Sequence, residues 1–569
     1  MPQTAVGECE PRSGGLRLSG SRCVRCLCRC FPAVSGVEVK ALFLLAAPMI
    51  LSQVLLFTLN FISAVFSGHL GKLELNAVTL ATSVISVTGI AVGMGLSMAC
   101  DTMMSQMYGG RNLKQIGVIL QRGILILMMF CFPCWALFIN TDKILLAVKQ
   151  DPEVSRLCQL YVKIFIPAIP ALFLYQLQIR YLQNQEIVKP QVLTGLVTNI
   201  LSVLMHYIFL FVLKLEVAGC AWANVIVQYC QIIVLFIYIR WKNLHLSTWA
   251  GWTTECLQEW GPFFQLAIPS LLMFCMELWA YEIGSFLAGL ISQVELGAQS
   301  VIFQVLTIFI LIHIGIGSAA GIRVGMALGG GNPHQAKTSA VTALFCTGCI
   351  ALLLITILGV LKDYVAKLFT NDRQIGELVS KIIPIIAPFH LFDALSSGVG
   401  SGIVRGIGKQ KIGAIANLVA FYVIGLPIGI SLMFAAKCGI LGFWSGLAIS
   451  SFLLTVFLLT LIFRLNWNAV VEEAQERAAL GKMKEVSTDS HFDATAHELT
   501  DSYDQGSAST QTLNEGNQQE CTTLITKEDC CPSGEVLSTR QLIVRRGLAL
   551  LAGLVVLALG VVVHFYDQM

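Results

Sequence analysis

Stretches of about 20 apolar residues, each ended by polar or charged positions, recur along this chain, and a helix needs that length to cross a bilayer. They fall near 41–66, 77–100, 116–139, 158–178, 191–213 and 219–239, then near 262–288, 298–320, 339–361, 380–403, 413–435 and 440–463. A polar stretch follows, and a last run, Gly547–Phe565, lies close to the C-terminus. The pattern predicts an all-α membrane protein of thirteen helices. The first run starts too late, runs too long and lacks the small-residue cleavage pattern of a signal peptide.

Composition agrees. Of 569 residues 56% are hydrophobic and only 12% charged, too few charges to cover a soluble protein of this size. Basic and acidic residues nearly balance, 37 against 34, which argues against nucleic acid as the main partner. Most of the 19 cysteines sit singly in apolar runs, where a thiol packs as a small hydrophobe, so they are not a disulfide framework. Every second connection carries Lys or Arg (Arg111/Lys114, Arg180/Lys189, Arg240/Lys242, Arg323/Lys337, Arg405/Lys409/Lys411), as does the N-terminal segment. That bias predicts a cytoplasmic N-terminus and, after thirteen crossings, an extracellular C-terminus.

The chain divides into a basic, Cys-rich N-terminus (1–39), two six-helix lobes (40–240 and 241–465), a polar cytoplasmic segment expected to be disordered (466–546) and the thirteenth helix (547–569). Cys23, Cys26, Cys28 and Cys30 lie among arginines. Their spacing fits no usual zinc pattern; acylation is an alternative, and a basic inner-face anchor is the favoured reading.

The two lobes are repeats. At a shift of about 221, Leu45-Ala46-Ala47-Pro48 meets Leu266-Ala267-Ile268-Pro269, and Leu73-Glu74-Leu75-Asn76-Ala77 meets Val294-Glu295-Leu296-Gly297-Ala298. Gly93-Met94-Gly95-Leu96-Ser97 meets Ile314-Gly315-Ile316-Gly317-Ser318, and with small slips Gly110, Asn199 and Gly219 meet Gly330, Asn417 and Gly442. Six spans is an even number, so both lobes start on the same side. They are parallel repeats about an axis along the membrane normal, an architecture of carriers that rock two bundles around a central cavity.

Three carboxylates lie well inside predicted spans: Glu277 and Glu282 on the seventh, Asp393 on the tenth. A charge in hydrocarbon is costly, so such a group normally faces a cavity and marks function, although a protonated, hydrogen-bonded structural carboxyl is the alternative. No Lys or Arg is expected at comparable depth. Burial disfavours the charged form, so a proton and a cation compete for the same carboxylate, and exchange needs no other machinery. Tyr281 follows Glu277 by four residues and shares its face, Glu282 lies about 140° round, and Trp279, Phe303 and Phe309 are further aromatic candidates for cation–π contact with an organic ammonium group. In the N-terminal lobe, Gln53 is a candidate cavity-lining amide and Asp101 is expected to be solvated.

Ser67-Gly68-His69-Leu70-Gly71-Lys72-Leu73-Glu74-Leu75, with Met276-Glu277-Leu278-Trp279-Ala280-Tyr281-Glu282 and Val404-Arg405-Gly406-Ile407-Gly408-Lys409-Gln410, closely resembles the multidrug and toxin extrusion (MATE) family over about 40–465. The extra thirteenth span is similar to the vertebrate branch. The resemblance implies a proton-coupled exporter of small organic cations at the plasma membrane, apical in excretory epithelia, with no cofactor beyond the proton as coupling ion. It also exposes departures. Relatives carry Trp where this chain has Leu278, Tyr-Glu where it has Phe303-Gln304, and Glu where it has Asp393. Gln304 can hydrogen-bond a substrate but cannot take a proton.

Three rivals remain. A lipid-linked oligosaccharide flippase would need several cavity arginines, which the spans are not expected to show, and a sodium-coupled exporter would need an oxygen-rich cage. An enzyme built on His390 and Asp393, one turn apart, lacks a nucleophile motif such as Gly-x-Ser-x-Gly.

Overall fold

A computed structural model of the chain describes residues 36–370, 372–478 and 539–566. The described residues are helical almost throughout and contain no strand. The first three spans are α1 (Gly36–Gly68), α2 (Lys72–Gly109) and α3 (Leu113–Ile139). A bent pair, Pro152–Phe165 with Ala168–Gln183, follows as α4. Its 59° break falls at Pro167, where the ring removes a backbone donor. Next come α5 (Lys189–Val212), α6 (Glu216–Trp241), α7 (Trp260–Ile291), α8 (Gln293–Gly329) and α9 (Pro333–Val360). Then follow α10 (Arg373–Ile407), α11 (Gln410–Ala435) and α12 (Ile440–Arg464).

The two halves trade material on the basic face, the side carrying the Lys/Arg-rich connections. Trp260, Phe263 and Ala267 at the start of α7 belong to the core of the first half. Leu42, Leu45, Ala46 and Met49 of α1 belong to a cluster built mainly from α8, α9 and α10. Further along, α7 returns to its own half through Ala280, Tyr281 and Ala288. The exchange obeys the repeat, and Pro48 and Pro269 stand at matching points within α1 and α7. Glu38 fastens the start of α1, receiving Arg323 Nε at 2.6 Å, Arg323 Nη2 at 2.9 Å and Ser339 Oγ at 2.5 Å.

Small residues let these helices approach backbone to backbone. Gly317 and Gly321 of α8 lie against Gly398, Gly402 and Gly406 of α10, and a Cβ on Gly317, Gly321 or Gly402 would strike the opposite carbonyl. Across the halves, Gly329 meets the Gln106 carbonyl and Gly109 that of Met326. Four-residue glycine spacing is what close helix packing in a membrane uses, where apolar side chains gain little by leaving lipid.

Two parts of the 466–546 segment depart from the expected disorder. Residues 467–478 form a helix, α13, that buries Trp467, Val470, Val471, Ala474 and Ala478, spacings of three, four and seven that define one helical stripe. It lies under both halves. Lys409 Nζ meets Glu473 at 2.7 Å, and Asn112 Nδ2 donates to the Ala478 carbonyl at 3.5 Å. The last span, α14 (Thr539–Tyr566), begins eight residues before the apolar run does. Arg546 Nε donates to the Leu257 carbonyl at 2.8 Å, with its guanidinium 4.1 Å from the Trp260 ring. At its other end Asn140 Nδ2 and Lys143 Nζ donate to the carbonyls of Gly560 and Val563. The remainder of the segment and the cysteine cluster at 23–30 lie outside the described residues.

Candidate functional site

A cavity of about 220 Å³ opens between the halves. Its walls come mostly from α7, α8 and α10, with Met94, Met98 and Arg180 from the first half. On α7 the lining positions are Ser270, Met273, Phe274, Glu277, Leu278 and Tyr281, the i, i+3, i+4, i+7 sequence of one helix face. On α8 they include Phe303, Thr307, Ile310 and Ile314. On α10 the helix widens into a π turn over Ala394–Gly400, starting one residue after Asp393, and Asp393, Ser397, Gly398 and Ser401 line the cavity.

Four of the eight sequence candidates therefore meet: Glu277, Asp393, Tyr281 and Phe303. Glu277 of α7 and Asp393 of α10 both line the cavity. Asp393 is only 3% exposed, and the Tyr281 hydroxyl donates to its Oδ1 at 3.5 Å. The Tyr281 ring has its centroid 6.1 Å from Phe303 and stacks at 6.2 Å on Trp444, whose indole N–H donates to Gln299 Oε1 at 2.9 Å. Phe389, 5.2 Å from Trp444, completes this backing. Neither Phe389 nor Trp444 was singled out from sequence, because each is one aromatic among many in apolar runs.

The other four candidates do not line the cavity. Helical geometry puts Trp279 about 200° from Glu277, and it is 38% exposed on the far face of α7. Glu282, 140° round, is half-buried beside the cavity stripe. Gln304 sits about 100° from Phe303 and is exposed at the stripe's edge. Gln53 follows Met49 by one turn on α1 and is half-buried.

The floor holds what the sequence reading missed. Arg180 and Arg405 both line the cavity, contrary to the expectation of no basic residue at that depth. Asp101, expected to be solvated, is buried: Arg180 Nη1 meets its Oδ2 at 3.2 Å and Asn184 Nδ2 its Oδ1 at 3.4 Å. Arg405 Nη1 lies 2.9 Å from the Met98 sulfur. Beneath them the halves are joined by hydrogen bonds. Thr102 Oγ1 donates to the Arg405 carbonyl at 2.6 Å, Gln106 Nε2 to the Gly406 carbonyl at 3.0 Å, and Gln410 Nε2 to Thr102 Oγ1 at 2.5 Å. The cavity is thus sealed on the basic face. His390 does not pair with Asp393: both its ring nitrogens are without hydrogen-bond partners, and its ring packs on His313 at 4.9 Å and Phe309 at 5.1 Å.

Both the sequence and the fold have counterparts in known proteins. The MatE family model matches residues 48–208 and again 269–430, once in each half. Multidrug and toxin extrusion protein 2 of Mus musculus is 50% identical over 538 residues, covering 93% of this chain and 92% of that protein. Multidrug and toxin extrusion protein 1 of Homo sapiens is 47% identical over 572 residues, 99% of each chain. Among solved structures, the eukaryotic MATE transporter AtDTX14 superposes with a TM-score of 0.75 at 30% identity, over 78% of this chain and 99% of that one. An outward-facing MATE family transporter, at 16% identity and a TM-score of 0.67, shares the fold. With a family match in both halves and relatives this similar across nearly the whole length, the chain belongs to the MatE family of membrane transporters.

Proposed function

We propose that this protein exports small organic cations in exchange for protons, alternating the access of its central cavity between the two sides of the plasma membrane. The observation that carries this reading is the meeting of Glu277 and Asp393 in one cavity walled by Tyr281 and Phe303. Two carboxylates attract a cation, the aromatic faces suit its alkylammonium surface, and protonation cancels the attraction. Seals on the basic face and a cavity between the halves support an outward-facing state. The Lys/Arg bias supports a cytoplasmic basic face, and a place in the apical membrane of an excretory epithelium is part of the same proposal.

The cavity arginines favour a second reading, an anionic cargo such as a lipid-linked pyrophosphate. Arg180, however, is already neutralised by Asp101, and Arg405 shares its cavity with two carboxylates. Sodium coupling is the remaining alternative. Uptake of labelled tetraethylammonium into proteoliposomes under an imposed pH gradient, then under a sodium gradient, separates the three. The expected result is transport driven by the pH gradient, abolished in Glu277→Gln and retained in Glu282→Gln. Transport driven only by sodium, or unaffected by Glu277→Gln at equal protein incorporation, overturns this assignment.

A further inference from the structure

A second and larger cavity lies away from the transport site. It is an apolar groove of about 580 Å³ on the outside of the first half, between α3, α4 and α6, within the roughly 300–1,000 Å³ range of small-molecule sites. Its lining runs from buried Leu177 and Ile239, through half-buried Leu120 and Leu174, to Ile233 and Phe236, which are 51% and 55% exposed. Trp249 and Trp252, from the linker between the halves, close its end on the basic face. Arg240 and His245 stand at the same end, and Arg240 Nη1 donates to His245 Nε2 at 2.7 Å. From Arg240 to Ile232 the groove follows α6 for eight residues, about 12 Å, which fits within one leaflet of a core about 30 Å thick.

We propose that this groove holds one anionic glycerophospholipid, with its phosphate on Arg240 and an acyl chain along Ile233 and Phe236. Each end of the groove asks for a different part of that molecule. The body is lined mostly by Leu, Ile and Phe, with Gln178 and Tyr181 as its polar exceptions, and the Tyr181 hydroxyl is already bonded to Thr248. The guanidinium is oriented by His245, leaves further N–H donors exposed, and binds phosphate in the fork geometry that arginine favours. Trp249 and Trp252 stand where aromatic rings anchor at the headgroup level, and Lys242, 4.4 Å from the Trp241 ring, adds a second positive charge nearby. No acidic side chain is among the lining residues described. That feature separates the groove from the transport cavity and argues against a second organic-cation site, because a cation would meet Arg240 with no carboxylate to balance it. Basic pockets between spans on the cytoplasmic side are where anionic headgroups collect.

Native mass spectrometry of the full-length protein in neutral detergent, titrated separately with phosphatidylserine, phosphatidylcholine and inorganic phosphate, tests this. One phosphatidylserine should be retained over phosphatidylcholine by about fivefold, the ratio corresponding to roughly 1 kcal/mol per basic residue at an anionic surface. Arg240→Glu should erase the preference, Arg240→Lys should keep most of it, and Ile233→Trp, which fills the groove, should lower retention of both lipids. In phosphatidylcholine vesicles containing brominated phosphatidylserine, quenching above the phosphatidylcholine control should fall in Trp249→Phe/Trp252→Phe. Should Arg240→Glu fail to fold, Ile233→Trp and the tryptophan variants ask the same question. An unchanged preference in Arg240→Glu, unchanged retention in Ile233→Trp, or displacement of the lipid by inorganic phosphate alone would overturn the proposal.

Discussion

Thr102→Val probes the seal beneath the cavity with a change that keeps side-chain shape and deletes one hydroxyl. In the sealed state that hydroxyl donates to the Arg405 carbonyl at 2.6 Å and accepts from Gln410 Nε2 at 2.5 Å, both across the two halves. The Arg405 carbonyl keeps a second donor, the Gly408 N–H at 3.0 Å, so it is not orphaned. The Gln410 amide loses its acceptor at a site with no exposure. One lost hydrogen bond at about 1 kcal/mol and one buried donor left without a partner at about 1–3 kcal/mol sum to roughly 2–4 kcal/mol against the sealed state. Once the halves part on the basic face, water satisfies these groups in either protein, so the cost falls on one state only. The ratio of open to sealed protein should rise about 30- to 900-fold, which reverses a population that starts at a few per cent open. Spin labels on Arg111 and His334, one on each half at the basic face, read this by pulsed electron resonance, incorporated without cysteine because many native thiols are present. Thr102→Val should shift the distance distribution toward the longer separation, and Thr102→Ser, which keeps the hydroxyl, should restore the shorter one. Identical distributions in wild type and Thr102→Val would refute the idea that these bonds hold the seal.

Asp101→Asn leaves Arg180 buried without its counter-charge, so it should destabilise the first half by about 3–5 kcal/mol, read as a lowered thermal transition in detergent. A chain ended after Asn466 should melt well below one ended after Ala478, because only the first loses the apolar stripe of α13; equal melting temperatures would show that this helix stabilises nothing. Gln304→Glu should leave the ratio of dicationic to monocationic transport unchanged, since position 304 is exposed at the edge of the α8 stripe; a selective gain for the dication would return it to the site.

The features legible in the chain are those written in local repetition. Runs of about 20 apolar residues marked thirteen spans, because hydrocarbon thickness sets a length that needs no knowledge of neighbours. A duplicated Ala-Ala-Pro and Ala-Ile-Pro, at Pro48 and Pro269, marked two related halves. The spacing of Glu277 and Tyr281 placed them on one face, and both line the cavity. The stripe Trp467, Val470, Val471, Ala474 was also there to be read, and the acidic composition that follows it obscured it.

Tertiary structure alone decided which face of each span meets the cavity. Lipid is as apolar as a helix interface, so a spanning helix carries little of the amphipathic contrast that orients a helix in water. Trp279, Glu282, Gln304 and Gln53 were placed at the site by their chemistry, and the helices turn them elsewhere. Arg180 and Arg405 were read as loop-end charges, yet the crossing of the halves carries both under the cavity and buries Asp101 against the first. Pairings across some 300 residues, such as Thr102 with Arg405, leave no local mark in the sequence. They exist because the glycine faces of α2, α8 and α10 bring three backbones close enough to bond, which only the assembled membrane fold determines.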